Sequence, residues 1–259
     1  MPSRLRRLTA LLCMLVAALG GALPAGAAAG LVAVAGADGP TGRLVVRELL
    51  AAGYGVRALV RDRAAGGFAA GAEVVQADVG ELASLGPALA DATALVIAID
   101  AGPGHAASTA GQVDDRGVQN LAAAAATARL GHVVLISSAG VTRADHPLNR
   151  YFDNVLQRQA RGEDALRASG LPYTIVRPGG LIDADAGAGG IRLVQGDAGT
   201  GFIPRADVAR IAVAALGAPA ARGRTFEAYA AGGPPPADWA KAFDALAADV
   251  AITPGESKP

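Results

Sequence analysis

Gly36, Gly39 and Gly42 stand three residues apart, directly after the apolar run Leu31–Ala35 and at the start of the segment Thr41–Ala52. In that segment Leu44, Val45, Glu48 and Leu49 recur at helical spacing, so the glycines fall on a strand–turn–helix junction. Such a turn suits a pyrophosphate. The first glycine permits the sharp bend, the second lets a phosphate approach the backbone, and the third lets the helix pack against the strand. Free N–H groups and the positive helix end then face the anion. Ala37 lies inside the turn, Pro40 fits an early helical position where its missing N–H is no loss, and Thr41 adds a hydroxyl donor. Asp38 opposes this chemistry. A carboxylate about 6 Å from a phosphate costs about 2–3 kcal/mol at an effective dielectric of about 20, so it must point away.

The second strand ends in Val60-Arg61-Asp62-Arg63, where a nucleotide-binding sheet meets the adenosine ribose. An acid there accepts from a free 2′-hydroxyl, whereas an arginine forks onto a 2′-phosphate. Arg61 therefore favours NADP, with Arg63 as a helper, and Asp62 keeps NAD open. Asp78, just past the third strand, either meets the adenine edge or starts the helix at Glu81.

Alternating elements must position these groups. Strands are expected near Val56–Val60, Glu73–Gln76, Ala94–Ile99, His132–Ser137, Tyr173–Val176 and Thr225–Tyr229. Helices are expected near Leu82–Ala90, Val113–Arg129, Asn154–Ala168, Ala206–Leu216 and Asp238–Ala248. This order predicts an α/β fold, a doubly wound parallel sheet of Rossmann type, with a small C-terminal substrate-side lobe. The glycine-rich stretch Gly179–Gly201 reads as an excursion off the sheet, and residues 30–249 as one domain followed by a flexible tail, 250–259.

The composition, 52% hydrophobic and 18% charged over 259 residues, excludes disorder, collagen and coiled coil. Residues 1–29 have the layout of a secretory signal: Arg4, Arg6 and Arg7, an apolar stretch from Leu8 to about Leu23, then small residues. The two outcomes are export with cleavage, giving an extracytoplasmic protein, or a membrane anchor. Without that segment 20 basic face 23 acidic side chains, net −3, which argues against nucleic acid as a partner. The lone Cys13 lies within the segment, so disulfides and thiolate chemistry are not expected. His105, His132 and His146 are too scattered for a metal site. His132 reads as structural, and His146 as the better candidate to touch substrate or cofactor. Asp114-Asp115 and Glu163-Asp164 read as solvated helix faces.

Several linked motifs together resemble the atypical short-chain dehydrogenase/reductases, specifically the NmrA-like NAD(P)-binding group, over about residues 31–230. They are Gly36–Arg43, Val60-Arg61-Asp62, Asn120-Leu121, Leu135–Gly140, Ser169–Leu181 and Arg205–Ala209. The resemblance implies that the Ser137-Ser138 loop and the Pro178-Gly179-Gly180 loop flank a nicotinamide. It also implies a catalytic tyrosine, here Tyr151, assisted by serine and by a lysine four residues on. Val155 occupies that lysine position, and the helix 154–168 contains no lysine. In NmrA-like relatives the lysine falls at about Gln159, which can hydrogen-bond a ribose but carries no charge; Arg158 or Arg161 can supply charge without relaying a proton. Two functions are thus expected. One is an NADP-dependent oxidoreductase acting on a small carbonyl, quinone or enone through Tyr151, Ser137 and Ser138. The other is a non-catalytic NADP(H) sensor that contacts a protein partner.

Overall fold

The computed structural model describes residues 29–64, 67–68, 70–99 and 112–250. All but the last residue of the expected leader, with Cys13, and also His105 and nearly all of the tail lie outside them. The described chain forms an eight-stranded sheet in the order β3-β2-β1-β4-β5-β6-β10-β8. Its strands are β1 (Ala29–Ala35), β2 (Tyr54–Val60), β3 (Ala72–Gln76), β4 (Ala94–Ile97), β5 (His132–Ile136), β6 (Tyr173–Pro178), β8 (Gly190–Val194) and β10 (Arg224–Ala231). Every pairing is parallel except that of β8 with β10. From β1 the chain winds outward through β2 and β3, then returns to β1's other side to lay down β4, β5 and β6. The order therefore reverses between β1 and β4, and the crevice at their carboxyl ends is where open sheets bind ligands.

Apolar side chains on both faces make the central strands continuous hydrophobic runs. Val32 and Val34 of β1 pack beneath α1 (Pro40–Ala51) and a helix at Arg205–Gly217, while Ala33 and Ala35 face the opposite layer. That layer holds α2 (Leu82–Ala88), α3 (Val118–Thr127) and a later helix over Val155–Ala168. We label the remaining helices α4 (Pro147–Tyr151), α5 (Val155–Ala168), α6 (Arg205–Gly217) and α7 (Trp239–Asp244). Phe243 of α7 packs against Phe226 of β10 and closes the first layer.

The stretch Gly179–Gly201 leaves the sheet only in part. β7 (Gly180–Ile182) and β9 (Phe202–Pro204) pair in a separate two-stranded sheet, the small lobe, but Gly190–Val194 returns as the antiparallel edge strand. Its register against β10, Arg192 opposite Tyr229 and Ile191 opposite Ala230, corrects the expected excursion. Past α7 the chain crosses back under β6 and β10. There Asp249 accepts from the Tyr173 hydroxyl at 2.9 Å and the Thr225 amide at 3.0 Å, while its own amide donates to Gly223 O.

Candidate functional site

The glycine turn occupies the reversal point. Gly36 has φ +75°, and a Cβ there would lie 2.6 Å from the carbonyl oxygen of Ala98, just beyond β4. A Cβ on Gly42 would overlap the Gly36 carbonyl, so the first and third glycines are demanded by packing alone. Gly39 is different. A Cβ there meets only the Gly36 oxygen at 3.3 Å, and the residue is the N-cap of α1 with no side-chain cap and Pro40 following. The first turn of α1 thus presents its dipole end without a carboxylate or hydroxyl covering it, an arrangement suited to phosphate oxygens. Ala37 is buried in the turn. Asp38 is exposed, and its carbonyl accepts from Arg43 Nε at 3.0 Å, which brings a guanidinium to the turn.

Beyond β2, Arg61 is exposed, while Asp62 and Arg63 serve the loop: Asp62 accepts from Ala64 N at 2.8 Å and Arg63 donates to Val74 O at 3.0 Å. Asp78 accepts from Gly80 N at 2.8 Å, and Ser84 binds its backbone. Asn120 of α3 donates to the carbonyls of Val79 and Gly80, holding this loop from below.

On the other side of the crevice two loops are bonded together. Ser137 N donates to Val176 O at 2.8 Å and Ala139 N to Pro178 O at 2.9 Å, continuing the β5–β6 ladder past the end of β5. Gly179 N and Gly180 N donate to Ala228 O and Gly201 O. The Ser137-Ser138 and Pro178–Gly180 loops are therefore one unit. The Ser137 hydroxyl donates to Glu163 at 2.7 Å, and that of Ser138 to Ala139 O at 3.1 Å.

Glu163 corrects the reading of Glu163-Asp164 as a solvated face: it is 1% exposed. Arg177 forks onto it with bonds of 2.9 and 2.7 Å and reaches Glu227, 0% exposed, at 3.3 Å. Glu227 in turn accepts from Asp197 N at 3.0 Å. Asp197 grips the β5 loop through Gly140 N at 2.5 Å and through the Thr142 amide at 3.0 Å and hydroxyl at 2.8 Å. Burial works against the Arg177 charge, but the bonds to Glu163 and Glu227 outweigh it and raise its pKa. Burial pushes the Glu227 carboxyl up. At Asp197 burial is overcome by the donors from Thr142 and Gly140, which hold the carboxyl below its ordinary value.

Tyr151 ends α4 and its side chain is 74% exposed. Asp153 and Asn154, both in the left-handed region, separate it from α5. Gln159 lies one turn before Glu163 on α5, hence on the face that reaches Ser137, and its buried Oε1 has no partner among the described residues. An acceptor so placed fits a ribose hydroxyl. Arg158 and Arg161, weighed as substitutes for a lysine charge, are otherwise engaged. Arg158 bonds Asp153 and the Phe152 carbonyl, and Arg161 bonds Asp115 at 2.6 Å. The Asp115 carboxylate is thus paired as well. His146 caps α4, its Nδ1 accepting from Leu148 N at 3.2 Å. His132 is buried with its Nε2 3.0 Å from the Thr174 hydroxyl, and burial, aided by the Arg222 charge, lowers its pKa to about 4.

An uncapped glycine turn at the reversal of a parallel sheet, facing a serine loop and a Pro-Gly-Gly loop across the crevice, defines an NAD(P)-binding Rossmann protein of the atypical short-chain dehydrogenase/reductase type. A model of the NAD(P)H-binding family matches residues 36–219, and the chain belongs to that family. Protein TIC 62, chloroplastic, of Pisum sativum is 37% identical over 174 residues, 58% of this chain and 33% of the relative. The chain thus spans about a third of that relative's length. Sanguinarine reductase of Eschscholzia californica is 33% identical over 244 residues, covering 76% of this chain and 87% of the relative. A Bacillus halodurans structure with a provisional NAD-dependent epimerase/dehydratase name superposes with a TM-score of 0.73 at 28% identity, covering 84% of this chain and all of that one. The chain is accordingly a member of an NAD(P)-binding oxidoreductase family. Among the described residues no helix is long and apolar enough to cross a membrane, and no cluster of His, Cys, Asp and Glu has the geometry of a metal site.

Proposed function

We propose that this protein is an NADP-dependent oxidoreductase that reduces a small carbonyl, quinone or enone. The observation that carries the reading is the bonded unit of the Ser137–Ala139 and Pro178–Gly180 loops, which faces the glycine turn across one crevice. The α1 terminus at Gly39–Gly42 would hold the pyrophosphate, exposed Arg61 the 2′-phosphate, and Gln159 a ribose hydroxyl. The dinucleotide, when bound, supplies the hydride. The chain's own part is to orient: Ala139 N fixes Pro178 O, and Gly180 N fixes the strap that ends at Gly201. Glu163, through Ser137, holds the end of β5 against α5.

One observation favours a second reading. The lysine-free α5 and the outward-facing Tyr151 lack a relay for a proton, as a redox-sensing module with a protein partner would. The two readings separate when NADPH absorbance is followed in the presence of quinones and aldehydes. Oxidation of NADPH with one of them supports the enzyme; tight NADPH binding without turnover across the panel supports the sensor. In either case Arg61→Ala should weaken NADPH by about tenfold while sparing NADH, read by calorimetry.

A further inference from the structure

Two buried donors without acceptors share one corner of the carboxyl edge. The Tyr229 side chain on β10 is 1% exposed, and its hydroxyl has no hydrogen-bond partner among the described residues. Arg143, on the loop that follows β5, has a buried Nε in the same condition. An unpaired donor away from water is costly to keep, so two in one place point to a partner the fold does not itself supply.

Their location is that of a substrate. Ala228 pairs with Pro178, so Tyr229 stands level with Gly179, one step beyond β6 and inside the loop unit described above. A Cβ on Gly179 would come 2.6 Å from the ring, and one on Gly199 would overlap it and sit 3.1 Å from the hydroxyl. Glycine at both positions leaves the phenol bounded on those sides by backbone. The Arg192 guanidinium lies 5.1 Å from the ring centroid. Asp197 ties the strap carrying Gly199 to Gly140 and Thr142, which brings the Arg143 loop alongside. Burial, reinforced by the Glu227 and Asp197 charges, raises the phenol's pKa against the opposing pull of Arg143 and Arg192, so it stays protonated. The segments around this corner carry exposed apolar groups: Phe202 and Ile182 on the small sheet, and Leu148 and Phe152 on and beside α4.

We infer that Tyr229 and Arg143 form an oxygen-binding subsite for a planar, largely apolar carbonyl compound. The phenol and the guanidinium donate to one carbonyl oxygen of the ligand, and its ring system lies toward Phe202 and Ile182. Two guanidinium groups, Arg143 and Arg192, beside two carboxylates, Asp197 and Glu227, leave the corner without net positive charge, which suits a neutral oxygen better than a phosphate or carboxylate. Tyr229 and Arg143 are here binding groups, and no proton transfer is assigned to them. The inference rests on the oxidoreductase reading for its choice of ligand.

The test titrates the full chain, saturated with NADP⁺, with the naphthoquinone menadione by calorimetry; the oxidised dinucleotide prevents turnover. Wild type should bind, and Tyr229→Phe and Arg143→Leu should each weaken menadione by about tenfold or more, with NADP⁺ affinity unchanged. Tyr229→Phe keeps the ring and Arg143→Leu leaves β10 untouched, so a folding defect in one leaves the other to decide. Menadione affinity equal to wild type in both variants, together with a higher melting temperature for Tyr229→Phe, overturns the subsite and marks the phenol as a buried liability. NADP⁺ binding without menadione binding by wild type also overturns it, yet leaves the dinucleotide reading standing. Menadione binding in a chain that gives no heat with NADP⁺ supports the subsite and defeats the dinucleotide reading instead.

Discussion

The two sides of the crevice are made of different material. On the β1–α1 side the wall is main chain: three glycines, an uncapped helix end and no acidic residue in the first turn of α1. On the β5–β6–β10 side it is held by charged side chains taken out of water, Glu163, Arg177, Glu227 and Asp197, each serving more than one partner. A main-chain site depends on the absence of side chains, so it fails by addition. A buried ionic site depends on complete pairing, so it fails by subtraction. The two sides should therefore respond to opposite kinds of mutation.

The largest effect is expected from subtraction. Arg177→Leu leaves Glu227 buried without a cation and Glu163 with Arg167 alone, and should cost about 3–5 kcal/mol in urea unfolding near neutral pH. Because the Glu227 carboxyl already sits high, this deficit should shrink as the solution is acidified and the carboxyl takes up a proton. A deficit that does not change with pH would mean that the pairing is not electrostatic at heart.

A second test, at the opposite end of β5 from the crevice, uses pH alone. His132 titrates at about 4 in the fold against 6.5 in the free chain. As pH falls below 6.5 the unfolded chain gains a proton that the folded one refuses. The His132 contribution to stability should thus decline by about 3 kcal/mol between pH 6.5 and pH 4 and change no further below. His132→Gln should flatten urea midpoints in that window, leaving the acid loss from Asp197, whose depressed carboxyl acts below its ordinary value.

Addition is tested by Gly42→Ala, whose new methyl group overlaps the Gly36 carbonyl and must push α1 off β1. A stability loss of about 1–3 kcal/mol, with weaker dinucleotide binding, is expected from denaturation and calorimetry. The smallest effect belongs to Tyr151→Phe. At 74% exposure the hydroxyl should matter by less than about twofold in NADPH turnover, and a large loss there would return Tyr151 to the chemistry.

The same contrast explains what could be read in advance. The glycine turn and the strand–helix alternation are local patterns, each contained in a short window, and Gly36–Gly42 lies at the end of β1 where its spacing places it. The ionic side is not local. Glu163 and Arg177 are 14 residues apart, and Arg177 and Glu227 are 50 apart. Two adjacent acids on a helix read as one solvated face, but helical geometry points Glu163 and Asp164 in different directions, and only Asp164 is at the surface. A signal was nonetheless present: Arg177 is the one charge in β6, Glu227 stands between Phe226 and Ala228 inside β10, and a charge there must find a partner within the fold. The return of Gly190–Val194 to the sheet was hidden for another reason. A short, half-buried strand flanked by glycines differs little in composition from a loop.

Asp249 gives the described chain a latch. Its carboxylate fastens the beginnings of β6 and β10 through Tyr173 and Thr225, and nearby Ala247 exchanges two bonds with Gln195 beside β8. A protease cut or a stop codon a few positions earlier would unbuckle three strands at once, at the end of the sheet away from the crevice. Anyone shortening this protein for crystallisation should therefore place the final residue after Asp249.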